Sequence, residues 1–69
     1  MERNLAENIR NARKSIGLTQ EQLAEKLGIT LGTISKWERE ASEPEISYLM
    51  ELADILRTSM DALTDAVQI

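Results

Sequence analysis

Apolar residues recur along this chain at helical intervals. Leu5, Ile9, Ala12 and Ile16 lie four, three and four positions apart, lining one face of a 3.6-residue period and predicting a first helix from about Arg3 to Ile16. Arg3, Arg10 and Lys14 fall on the opposite face. Gly17 supplies a stop, since glycine takes a left-handed backbone without steric penalty. Thr19 then opens a second helix: Gln22 three residues on completes a capping box, and Leu18 and Leu23 form a hydrophobic staple. Leu23, Ala24 and Leu27 make its buried stripe, and Gly28 ends it. Thr30 caps a third helix, with Ile29 and Ile34 as a second staple. Its narrow apolar face, Ile34 and Trp37, makes Trp37 a core residue rather than an exposed platform. Glu40 to Pro44 reads as a loop, because proline bars a continuing helix. A fourth helix, about Ile46 to Leu56, buries Leu49, Leu52, Ala53 and Leu56. Ser59 caps a short fifth helix carrying Met60, Leu63 and Val67. The expectation is an all-α, five-helix unit spanning residues 1–69 as one domain.

Composition strengthens the helical reading. Nine Leu, seven Ile and seven Ala stand against one Val, one Trp, one Tyr and no Phe, and leucine and alanine favour helix where aromatic and Val side chains favour strand. With no Cys and no His, disulfides, thiolate metal sites and imidazole catalysis are excluded. The twelve carboxylates show no paired or metal-ligand spacing, and three scattered glycines make no phosphate-cradling loop. Neither an enzyme, a cofactor nor a bound metal is expected. No apolar run approaches the ~18 residues of a membrane span, and no basic-then-apolar leader opens the chain. The default reading is cytoplasmic, with no membrane partner.

Charge then divides the chain. The net is −4 and the sequence pI about 4.7, which opposes any general affinity for polyanions. Residues 1–39, however, carry seven basic and five acidic residues, for +2, while residues 40–69 carry one and seven, for −6. An anionic partner should meet the first half.

Two short capped helices joined at Gly28-Ile29 describe a helix-turn-helix, whose second helix protrudes and in DNA-binding versions enters the major groove. The segment IRNARKSIGLTQEQLAEKLGITLGTISKWERE, followed by Pro44 and LMELADIL, resembles the phage-repressor/Cro-like, or Xre-like, helix-turn-helix family over roughly residues 5–64. Arg13, GLTQEQLAEKLG (17–28), ISKWE (34–38) and Pro44 carry the likeness. The resemblance implies a five-helix repressor-type fold and sequence-specific binding of double-stranded DNA by a transcriptional regulator, often a dimer. Two positions depart from it. Family members often have glycine where this chain has Glu40 and Arg57, and a left-handed backbone at either costs a non-glycine residue roughly 1 kcal/mol.

By resemblance, Leu31, Gly32, Thr33 and Lys36 lie nearest the base edges and Gln20 meets a phosphate. Lys36 and Arg39 project from the outward side of the third helix, whereas Arg10 and Lys14 read as solvent-exposed. Arg13 sits at the edge of the apolar face, and in the family the matching arginine commonly pairs with the glutamate at Glu38. Met60, Leu63, Ala66, Val67 and Ile69 give the last segment more apolar surface than docking requires, which points to a homodimer. The alternative is an antitoxin-like or other protein-interaction module in which DNA binding is weak or lost.

Overall fold

A computed structural model describes residues 5–64. It contains α1 (Leu5–Ser15), α2 (Gln20–Leu27), α3 (Leu31–Glu38), α4 (Ile46–Ile55) and α5 (Met60–Thr64), with no strand among the described residues. The expected start of the first helix at Arg3 and the far end of the fifth at Val67 lie outside the described residues.

Local chemistry fixes the starts of α2, α3 and α5 and the ends of the first four helices. The Thr19 hydroxyl accepts from the Gln22 N–H at 3.0 Å, and the Thr19 N–H donates to the Gln22 side chain at 2.9 Å, so the capping box is complete. Thr30 accepts from the Thr33 N–H at 3.2 Å, and Ser59 from the Ala62 N–H at 3.0 Å. The first four helices share one ending, in which two N–H groups past the last turn reach back to two orphan carbonyls. Leu18 donates to Arg13, Ile29 to Ala24, Ala41 to Lys36 and Thr58 to Ala53, at 2.8 to 3.1 Å. Such an ending needs one left-handed residue. Gly17 and Gly28 supply it at φ 75° and 72°; Glu40 and Arg57 supply it at φ 63° and 59°.

Each helix sends one large side chain fully into the centre: Ile9, Leu23, Ile34, Leu52 and Leu63. Ala24, Leu27, Trp37, Ala53 and Leu56 complete the core, and Trp37 packs on half-buried Tyr48 with ring centroids 5.6 Å apart and planes tilted by 52°. Three sequence expectations shift. The buried centre of α1 is Ala6, Ile9 and Arg13, with Leu5, Ala12 and Ile16 only half-buried beside it. Leu49 is half-buried. Leu63, read above as surplus surface, is core at 1% exposure, and Met60 packs against that core. The Asn8 amide ties α1 to α5 by donating to the carbonyls of Leu63 at 2.8 Å and Ala62 at 3.3 Å.

Candidate nucleic-acid interface

Three residues, Gly28, Ile29 and Thr30, join α2 to α3, and these two helices pack closely together. Ile34, Trp37 and Glu38 face inward from α3, leaving the opposite side to solvent. On that side Gly32, Lys36 and Arg39 are exposed, and at its flanks Leu31 is 47% exposed and Thr33 half-buried. The Thr33 and Thr30 hydroxyls share a hydrogen bond of 2.9 Å, so Thr33 is held at the helix start. Arg39 folds back along α3, its Nε donating to the Ser35 hydroxyl at 3.2 Å. The structure thus leaves Leu31, Gly32, Lys36 and Arg39 accessible to solvent.

Gly32 has no structural reason to be glycine. Its φ is not positive, and a Cβ there would meet only the Thr30 hydroxyl, at an ordinary 3.9 Å. Glycine inside a helix is less stable than alanine by roughly 0.5–1 kcal/mol, so the fold itself does not account for it.

Behind this surface lies a buried polar knot. Arg13 forks onto Glu38, with Nε to Oε2 at 2.7 Å and Nη2 to Oε1 at 3.0 Å, while its Nη1 donates to the Leu18 carbonyl at 2.8 Å. Both side chains are more than nine-tenths buried. The pair joins α1, the turn before α2, and α3. Arg10, expected in solvent, is half-buried and donates to the Glu38 backbone carbonyl at 3.5 Å. Lys14 is exposed, and Arg3 lies outside the described residues. Burial pushes the Glu38 carboxyl up. Hydrogen bonds from Arg13 and Gln20 and the charges of Arg13 and Arg10 outweigh burial, holding it below its ordinary value of 4.5.

Gln20 occupies the first position of α2 and is half-buried. Its Nε2 donates to Glu38 Oε1 at 3.0 Å. Sequence reasoning missed this bond and the Arg10 contact. Residues 18 and 28 positions apart leave no periodic signal, and the second contact depends on how α1 crosses α3.

The described acidic residues that follow α3, Glu40, Glu43, Glu45, Glu51, Asp54 and Asp61, are all exposed. Among the described residues no group of His, Cys, Asp or Glu side chains is placed to hold a metal ion, and no helix is long and apolar enough to cross a membrane.

Short capped α2, a three-residue connection and an α3 with a solvent-facing outer side define a helix-turn-helix domain. The helix-turn-helix family model matches residues 9–63, and the chain belongs to that family, in its phage-repressor and Cro-like branch. It is 37% identical over 59 residues to the transcriptional repressor RstR of the cryptic phage CTXphi in Vibrio cholerae, across 86% of this chain and 53% of that protein. The structure resembles the P22 c2 repressor in complex with a synthetic operator, with TM-score 0.84 and 33% identity over 91% of this chain and 96% of that one. It also resembles SinR, the master regulator for biofilm formation, in complex with DNA, with TM-score 0.79 and 30% identity over 86% and 95% of the two chains. The chain spans about half the length of the first curated relatives it matches.

Proposed function

We propose that this chain binds double-stranded DNA sequence-specifically as a transcriptional regulator, a repressor, with α3 in the major groove. The observation that carries this reading is the outer face of α3. It offers an apolar Leu31, a glycine that the fold does not need, and the cations Lys36 and Arg39. The major groove is ~12 Å wide and admits a helix whose side chains reach base edges. Leu31 suits a thymine methyl, and Lys36 suits guanine O6 and N7. Gly32 lets the backbone come close, and Thr33 serves a base or a phosphate. Gln20 and Arg39, with the N–H groups at helix starts, serve the phosphates. Two half-sites one helical turn apart call for a homodimer, and such a regulator works in the cytoplasm, without a cofactor or catalysis.

A second reading, an antitoxin-like module that docks on another protein, draws on the net charge of −4 and on exposed Leu31. A gel shift at two salt concentrations separates the readings. Phosphate neutralisation makes DNA affinity fall steeply with salt, so retardation of duplex DNA that fades as salt rises supports the first. No retardation at low salt overturns it.

A further inference from the structure

We infer that Glu38 is the positioning residue for Gln20: its carboxylate holds the Gln20 amide at the start of α2 in a single orientation, NH₂ end inward, whose second N–H serves a DNA phosphate. This rests on the DNA-binding reading above.

Arg13 alone satisfies Glu38 as an ion pair, through two bonds of 2.7 and 3.0 Å. The third bond, from Gln20 at 3.0 Å, is therefore surplus to the pair, and what it fixes is Gln20. A glutamine side chain otherwise samples many rotamers and loses that freedom on contact. Its two ends also differ: the NH₂ carries two donors and the oxygen only accepts. An ionised carboxylate is an acceptor alone, so only the NH₂ end can face Glu38, and the other possible orientation of the amide is eliminated. One N–H is then spent inward while the second N–H remains for an anion beside the positive start of α2. A bare carboxylate this close would repel a phosphate. Here Arg13 cancels its charge, and Arg10, at 3.5 Å from the Glu38 carbonyl, adds positive charge on the same side. Through Arg13, the phosphate contact is thus built on α1 and α3 as much as on α2.

The test is a double-mutant cycle with Glu38→Asp and Gln20→Ala. Aspartate keeps the charge opposite Arg13 but is one methylene too short to reach both partners. The probe is a mixed-sequence duplex of about 24 base pairs at about 50 mM salt, since a phosphate contact is independent of sequence. Gln20→Ala should weaken binding about tenfold, the scale of one lost phosphate hydrogen bond. Glu38→Asp should weaken it about fivefold when Gln20 is present and less than about twofold in the Gln20→Ala background, because coupled residues are non-additive. Equal losses in both backgrounds would mean a purely structural Glu38 and would overturn the inference. Should Glu38→Asp fail to fold, nitrogen-15 relaxation of the Gln20 side-chain amide in the unaltered protein decides. An amide as ordered as the α2 backbone supports positioning, and a freely rotating one refutes it. If the unaltered protein binds no duplex at all, the DNA reading falls and the inference with it, while relaxation of the Gln20 amide in the unaltered protein and in Glu38→Asp still shows whether Glu38 holds that side chain.

Discussion

Glu40 and Arg57 hold the same place in two different helices. Each is the left-handed residue, at φ 63° and 59°, that lets the chain reach back and close α3 or α4. Gly17 and Gly28 hold that place after α1 and α2 without steric cost. The two side chains therefore carry strain of roughly 1 kcal/mol each. Glu40→Gly and Arg57→Gly should each raise stability by about that amount and together by about the sum. Urea unfolding should show a higher midpoint at unchanged slope; unchanged midpoints would show that the backbone there is not strained.

The Arg13–Glu38 pair should dominate the response to mutation and to acid. Arg13→Met leaves a buried carboxylate unpaired, at a cost of ~3–5 kcal/mol. A domain of this size holds only about 3–10 kcal/mol in all, so the variant should sit near its unfolding midpoint, as circular dichroism on heating would reveal. The pH dependence follows from the direction of the Glu38 shift. A carboxyl whose folded value lies below its ordinary 4.5 contributes stability that is fully present above 4.5 and is lost as pH falls through the folded value. Glu38→Gln should therefore flatten the acid limb of a stability–pH curve below about 4.5. An unaltered acid limb would count against the pair's role.

Gly32 separates stability from binding. Gly32→Ala should stabilise the protein by roughly 0.5–1 kcal/mol, because α3 gains a better helix former with nothing to clash against. The same methyl should weaken duplex DNA binding by keeping the backbone out of the groove. Opposite signs in calorimetry and gel shift are the expected outcome; unweakened binding would remove Gly32 from the interface.

Lys36 and Arg39 should fail in different ways. Lys36→Ala should relax base preference at one position by ~1–3 kcal/mol, while Arg39→Ala should weaken all sequences alike. Affinities for a set of operator variants, recovered by selection from random duplexes, would distinguish them. If Lys36→Ala left the ranking of variants unchanged, Lys36 would not read bases.

Assembly on DNA should be two-fold, with two copies on paired half-sites. Leu63 is core and so adds no surface to a dimer contact, and Ala66, Val67 and Ile69 lie outside the described residues. Among the described residues, the large apolar side chains that remain exposed are Leu31, Ile46 and Met50. Sedimentation showing a monomer both alone and on a two-half-site duplex would rule the dimer out.

How much of this was legible in the chain depends on distance along it. Thr19, Gln22 and Thr30 act on residues three positions away, so the caps and the loops between helices could be read directly. Helical spacing located Ile34, Trp37 and Leu52 in the core. It misjudged α1, because an arginine was not expected on the centre line of a buried stripe; only a glutamate from another helix makes that position tolerable. It misjudged Leu63 because a short helix with apolar residues three apart looks the same whether it docks inward or faces a partner. The Gln20–Glu38 bond joins two helices through a polar pair, and no local pattern announces it.

The contact between Trp37 and Tyr48 equips the molecule with an optical gauge. They are the chain's one tryptophan and one tyrosine, on α3 and α4, with rings 5.6 Å apart. At that range light absorbed by Tyr48 is passed to Trp37, so the folded protein emits as tryptophan whichever ring is excited. Tyrosine emission should emerge only when α4 moves well away from α3, whereas a change in tryptophan colour reports water reaching the core. Each unlabelled molecule therefore signals separately the detachment of one helix and the opening of its centre.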